Sequence, residues 1–191
     1  ISIDGEQFPL PAPFLVLATQ NPVESESTFR LPAAQMDRFL IRISMGYPTP
    51  KEERRMLRNL GDEIPFDQVR PVTNAQELVE AQRQISQVHL SDAVADYIVA
   101  LAAATRSHPQ LKMGASPRAT RGLYRAAKVW AAMEGRDFVT PDDVKTLAAP
   151  VLEHRLILDS GARFSGVSVS AILDDVLERL QGAPELEAVA H

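Results

Sequence analysis

The chain has 191 residues, 45% of them hydrophobic and 24% charged, a globular composition with length for one sizeable core or two small ones. Its formal net charge of -5 argues against a general nucleic-acid clamp, which works through a basic surface that releases counterions. The absence of cysteine excludes a disulfide framework, a thiolate metal site and a cysteine nucleophile, and no apolar run approaches the roughly 18 residues of a membrane span.

The opening Ile1-Ser2-Ile3-Asp4-Gly5 has neither an initiator Met nor the pattern of a signal peptide, and is read as a cut end inside a larger protein; the lack of cysteine fits the expected cytoplasmic location. Ile1 and Ile3 alternate with polar residues around Asp4-Gly5, which predicts a small hairpin with a tight turn. Pro9, Pro11 and Pro13 interrupt pairing until residues 14–19, a short continuous apolar run expected to be a strand buried on both faces and ended by Asn21-Pro22. Leu31-Pro32 opens a short helix through Gln35 and Met36, and residues 39–45 read as a second buried strand. Two such strands joined by a helix-bearing segment predict the last piece of an α/β sheet whose other strands lie elsewhere.

After Pro50 the period becomes helical, with helices expected at 50–60, 74–85, 91–106, 117–134, 141–149 and 169–181. Thr73 with Gln76 matches a capping box, while Thr140-Pro141-Asp142-Asp143 offers an N-cap, a first-turn Pro and two carboxylates at the positive end of a helix. Val94, Ile98 and Leu101 form one apolar stripe, and Leu173, Val176, Leu177 and Leu180 another. The fold class expected is therefore an α/β remnant over residues 1–48 followed by a predominantly α-helical domain over 49–191.

Three residues stand out chemically. Asn21 follows a buried strand, where strand ends face the ligand crevice in open α/β folds, and its amide both donates and accepts; the plain alternative is a turn started by Asn-Pro. Arg38 closes a short helix beside Asp37, where its plain reading is a helix C-terminal cation that stabilises the dipole or pairs with that carboxylate. Arg118 falls in the first turn of a helix with Ser116 as cap and Pro117 at its first position, where the helix dipole disfavours a cation unless an anion sits nearby. Phosphate would supply that anion, and a solvated or salt-bridged face formed with Arg121, Arg125 and Lys128 is the alternative. The four histidines, His89, His108, His154 and His191, show no ligand spacing, so no metal site is expected.

The segment Phe14-Leu-Val-Leu-Ala-Thr-Gln-Asn-Pro-Val-Glu24, with Leu31-Pro-Ala-Ala-Gln-Met-Asp-Arg-Phe-Leu40 beyond it, resembles the sensor-1 strand and trans-arginine segment of the MoxR family of AAA+ ATPases. Gly114-Ala-Ser-Pro-Arg-Ala-Thr120 is similar to that family's sensor-2 motif, and Thr140-Pro-Asp-Asp-Val144 and Leu152-Glu-His-Arg-Leu156 sit where its lid would have them. The resemblance implies that Asn21 is sensor 1, that Arg38 is the arginine finger offered to a neighbour's ATP, and that Arg118 reads the phosphates of its own subunit. Arg30 is a second basic candidate for the trans role. The resemblance further implies ATP and Mg2+, a ring that is expected to be hexameric, and chaperone-like remodelling of client proteins, some with von Willebrand factor A domains.

No segment matches Gly-x-x-x-x-Gly-Lys-[Ser/Thr], and no apolar strand ends in a magnesium-binding Asp. The 191 residues alone are expected not to hydrolyse ATP. A non-enzymatic helical interaction or regulatory module with the shape of an ATPase lid is the competing expectation. A DNA-recognition helix built on the Arg118 face is a third, opposed by the acidic balance.

Overall fold

The computed structural model describes residues 2–20, 31–59 and 69–181. In chain order its elements are β1 (Ser2–Ile3), β2 (Glu6–Gln7), α1 (Ala33–Met36), α2 (Pro50–Asn59), α3 (Ala75–Ser86), α4 (Asp92–Ser107), β3 (Leu111–Met113), α5 (Pro117–Met133), α6 (Pro141–Leu152), β4 (Ile157–Leu158), α7 (Ser160–Phe164) and α8 (Val169–Gln181). A 3₁₀ turn, Glu153–Arg155, continues α6. Two compact units group residues 1–17 with 43–82, and residues 18–42 with 83–191.

The first unit begins with the expected hairpin. Ser2 pairs with Gln7 and Ile3 with Glu6, and the turn uses positive φ at both Asp4 (50°) and Gly5 (88°), the geometry that Asp-Gly favours. In α2, Thr49 and Glu52 exchange the reciprocal bonds of a capping box: Glu52 N–H donates to Thr49 Oγ1 at 3.3 Å and Thr49 N–H to Glu52 Oε2 at 2.7 Å. The helix at 74–85 is present as α3, but its cap is Asn74, whose Oδ1 accepts from Glu77 N–H at 3.0 Å. Thr73 instead donates to the Glu77 carboxylate at 2.8 Å, so the capping box expected from Thr73 and Gln76 gives way to an Asn cap one residue later.

The two apolar runs differ from expectation. Neither residues 14–19 nor residues 39–45 enter a ladder among the described residues, the chain bends at Leu40, and Leu17 is 94% exposed. A strand exists only through its pairing, and no partner strand for either run occurs among the described residues. The run from Phe39 finds other partners in the second unit, as described below.

The second unit holds a helical core. Ser91 caps α4, accepting from Val94 N–H, and turns Val94, Ile98 and Leu101 inward, with Leu101 fully buried. Helix α5 packs along α6, and α4 packs against both α5 and α8. Leu123, Val144, Val151, Leu152 and Leu173 fill the space between them, each burial of a large aliphatic side chain contributing roughly 1.5–3 kcal/mol. Among the described residues no helix is long and apolar enough to cross a membrane.

Helical periodicity gave no sign of the antiparallel β3–β4 ladder, in which Leu111 faces Leu158 and Met113 faces Ile157. Short strands distant in sequence carry too few residues for alternation to register. A parallel bridge between His89 and Phe138 is a similar case, with His89 N–H donating to Asp137 O at 2.7 Å and Val139 N–H to His89 O at 2.9 Å.

The expected cap at Thr140 is present as a full capping box. Asp143 accepts from Thr140 N–H at 2.8 Å and takes the Arg136 guanidinium through two bonds of 2.8 and 2.5 Å. Burial raises the Asp143 pKa, but the Arg136 fork and the Thr140 bonds outweigh it and hold the carboxyl below its ordinary value. Thr140→Ala is expected to destabilise the chain by about 1 kcal/mol, the usual worth of an N-cap. Asp143→Ala is expected to cost more, because it also strips Arg136 of its counterion; urea unfolding of the two variants measures the order.

Candidate functional site

The N-terminus of α5 is held from below by α4. Thr105, wholly buried, donates to Ala102 O at 2.7 Å and accepts from Ala115 N–H at 2.9 Å. Arg106 Nε donates to Ala115 O at 2.7 Å and its Nη2 to Thr120 Oγ1 at 3.3 Å. Between them Gly114 passes so close that a Cβ would lie 2.6 Å from the backbone of Thr105 and Arg106. Only glycine fits without moving main chain. Ser116, fixed at the end of this loop, then caps α5 by accepting from Ala119 N–H at 3.2 Å, with Pro117 opening the helix.

Arg118 therefore occupies the first turn of α5, and its side chain is 56% exposed. The anion that its position demands is present in the chain itself. Asp37, at the end of α1, places Oδ2 3.7 Å from Arg118 Nη1, while Asp37 Oδ1 accepts from Ser116 Oγ–H at 2.9 Å. One carboxylate thus touches both the cap and the cation of α5.

The same carboxylate meets a third group. Arg155 Nε lies 3.2 Å from Asp37 Oδ1, an ion pair in which the N–H is not aligned for a hydrogen bond. The Arg155 side chain is only 2% exposed. Its Nη1 donates to Val151 O at 2.7 Å, and its Nη2 donates to Asp37 O at 3.3 Å and closely to Phe39 O. Gly122, in the middle of α5, makes the room: a Cβ there would stand 3.3 Å from Arg155 Nη1 and 3.3 Å from Leu40 Cδ1. A mid-helix glycine costs about 1 kcal/mol relative to alanine, which this close approach explains.

His154 and Arg42 complete the attachment. His154 Nε2 is 3.1 Å from Phe39 O, an acceptor, so this nitrogen carries the proton. Arg42 N–H donates to Pro150 O at 2.9 Å, one of the carbonyls that the end of α6 leaves free. Burial lowers the pKa of both charged candidates here. For Arg155, Asp37 opposes the shift and Arg118 adds to it; for His154, the Phe39 bond and Asp37 oppose it while Arg155 and Arg42 add to it.

Arg38 lies between the two residues that Arg155 holds. Its backbone N–H donates to Gln35 O at 3.1 Å, its side chain is exposed, and among the described residues it makes no ion pair. The pairing of Arg38 with the adjacent Asp37 is thus replaced by pairs from Arg118 and Arg155. Asn21 and Arg30 lie outside the described residues. Of the basic face on α5, Lys128 donates to Ser86 O at 2.8 Å and lies 5.5 Å from the centre of the Tyr124 ring, whereas Arg121 and Arg125 are exposed. No group of three or more His, Asp or Glu suited to a metal ion occurs among the described residues.

Sequence reasoning brought out Arg38 and Arg118 but not the Asp37–Ser116–Arg155 junction that joins their surroundings. Two signals were available. Arg155 interrupts an apolar run at the end of a helix, and Gly122 breaks an alanine-rich helix where nothing local asks for glycine.

Comparison with known proteins gives the following. Residues 1–41 match the model of the ATPase family associated with various cellular activities (AAA), and residues 103–176 match the AAA lid domain. Chaperone MoxR1 of Mycobacterium tuberculosis is 39% identical over 99% of this chain and 52% of its own length. The uncharacterised protein YeaC of Bacillus subtilis is 38% identical over 99% of this chain and 59% of its own length. A crystal structure of a provisionally assigned ATPase from Cytophaga hutchinsonii superposes with a TM-score of 0.84 at 36% identity, covering 93% of this chain and 57% of that one. The chain spans between half and three-fifths of the length of these relatives.

The buried imidazole gives a pH dependence. With its folded pKa below the ordinary 6.5, His154 binds its proton more readily in the unfolded chain. Stability contributed here is complete above about pH 6.5 and falls as the pH is lowered toward the folded pKa. His154→Gln, which can still donate to Phe39 O, is expected to lose less thermal stability between pH 7 and pH 5 than the parent; equal losses in the two melting series would show that His154 is not the acid-sensitive group.

Proposed function

The chain belongs to the MoxR family of AAA+ ATPases, and from that premise we propose that it is the nucleotide-sensing part of a ring-forming ATPase that remodels client proteins. The observation that supports this reading most is the arrangement around Asp37: an exposed Arg38 on one side, and on the other a first-turn Arg118 whose guanidinium is open to solvent. Nothing inside the subunit neutralises Arg38 among the described residues, as suits a cation meant for another subunit.

In this reading Arg118 binds the phosphates of its own subunit's ATP, and Arg38 is the finger presented to the neighbour's. Arg118 fits phosphate on physical grounds. Its guanidinium stands at a helix N-terminus, and its exposed pair with Asp37 at 3.7 Å is easily exchanged for a more highly charged anion. Asn21 would orient the attacking water, a role suited to a neutral amide. ATP supplies the phosphoryl group, and Mg2+ with the phosphate-cradling loop is assigned to parts of the parent outside this sequence, which has no Gly-x-x-x-x-Gly-Lys-[Ser/Thr] segment. The division of labour between an α/β piece over 1–48 and a lid over 49–191, a hexameric ring, a cytoplasmic location and clients carrying von Willebrand factor A domains belong to the same proposal.

The arginine assignments separate in a mixing experiment on the full-length ATPase. Arg38→Ala subunits titrated into intact ones are expected to depress turnover per intact subunit, since a trans finger is worth on the order of 10³–10⁵ in rate; turnover that scales simply with the intact fraction rejects the trans role. Arg118→Ala is expected to weaken ATP binding in its own subunit, read by fluorescent-nucleotide titration, and wild-type affinity removes that assignment.

A further inference from the structure

We propose that Arg155 is a positioning residue for Arg38: it clamps the main chain on both sides of the finger to the lid that carries Arg118. The proposal rests on the trans role of Arg38 and extends it to a residue that touches neither nucleotide nor neighbour.

The geometry is specific to a guanidinium. Nη2 donates to the carbonyls of Asp37 and Phe39, the residues immediately before and after Arg38, while Nη1 donates to Val151 O in α6. A single planar group therefore ties the finger's own backbone to the last turn of a lid helix. His154 adds a second bond to Phe39 O, and Arg42 N–H to Pro150 O adds a third tether on the same helix. With carbonyls held on either side, the Cα of Arg38 has little freedom to move without the lid.

The arrangement is also one that simple packing would not select. A buried cation loses its hydration, and an apolar side chain of similar volume fills such a space without that loss. Here the chain keeps the cation and in addition opens α5 at Gly122 to admit it. The Asp37 carboxylate then links the clamp to the sensor, because it contacts Arg155, the Ser116 cap and Arg118 together. When phosphate draws Arg118 away, Asp37 stays fixed by Arg155 and Ser116, so a lid displaced by the subunit's own nucleotide carries Arg38 with it. Nucleotide state in one subunit is thereby expressed as finger position in the next.

The test uses the full-length ring with Arg155→Met, Arg155→Lys and Arg38→Ala, and the double variant Arg38→Ala/Arg155→Met. Misplacing a catalytic group by about 1 Å costs on the order of 100-fold, so Arg155→Met is expected to lower kcat by about 10- to 100-fold with KM for ATP within about twofold. Arg155→Lys keeps the charge without the fork and is expected not to restore kcat. Mixed with intact subunits, Arg155→Met is expected to poison turnover as Arg38→Ala does, and the double variant is expected to be no slower than Arg38→Ala alone. Should Arg155→Met fail to fold, Gly122→Ala, which presses on Arg155 Nη1 and Leu40, is expected to show the same fall in kcat and the same non-additivity with Arg38→Ala. Additive losses in the double variant, or a raised KM at unchanged kcat, overturn the positioning role while leaving the finger intact. An Arg38→Ala ring that turns over normally overturns the finger and the clamp together.

Discussion

A buried guanidinium sets the terms for this part of the molecule. Arg155 cannot shed its charge, so every N–H it brings into the interior calls for an acceptor and its charge calls for a counterion. The end of α6 supplies one carbonyl, Val151 O, and the chain around residue 38 supplies two more, Asp37 O and Phe39 O, with the Asp37 carboxylate as the counterion. The Arg38 segment is therefore laid on the helical unit by electrostatic necessity rather than by apolar burial. Phe39 and Leu40 add contact, but the register along residues 37–42 is fixed by polar bonds that admit no sliding.

The rest of the second unit reads as support for that junction. Helix α4 positions the Gly114 loop through Thr105 and Arg106, the loop positions Ser116, and Ser116 both caps α5 and holds Asp37. Helix α6 is started by the Thr140–Asp143 box and stiffened by the Arg136 fork before it delivers Val151, His154 and Arg155 at its far end. Each cap thus acts twice, once on its own helix and once on the placement of a charge. Substituting Ser116 removes the α5 cap and a hydrogen bond to Asp37 together.

How much of this the sequence discloses follows from the range of each interaction. Helices with a strong 3.6 period and a local start signal were legible almost to the residue: Ser116-Pro117 opens α5, Thr140-Pro141 opens α6, and Val94, Ile98 and Leu101 face inward as their spacing requires. Thr73 misled because Asn74, an equally good cap, stands next to it, and only the backbone decides between neighbours. The β3–β4 ladder and the Arg155–Asp37 pair join residues far apart in sequence, and no local pattern encodes such a pairing. The apolar runs at 14–19 and 39–45 were read as strands from composition. What a run becomes depends on the edge available to it, and the Phe39 run here spends its carbonyl on Arg155 and His154 instead.

Arg118 shows how a sequence argument can be right in its physics and incomplete in its conclusion. A cation in the first turn of a helix does require an anion, and the requirement is met in this structure by Asp37 at 3.7 Å. That pair is exposed and therefore weak, about 0–1 kcal/mol for ion pairs of this kind, whereas Asp37 is held more firmly by Ser116 and by the buried Arg155. The two contacts of Asp37 with arginine are thus unequal by design of burial alone. A phosphate arriving at α5 competes only with the weaker one, so it can take Arg118 without releasing the Arg38 segment from the lid. Were the burial reversed, with Arg118 enclosed and Arg155 exposed, the same charges would hold Arg118 to Asp37 and leave the main chain around residue 38 loose.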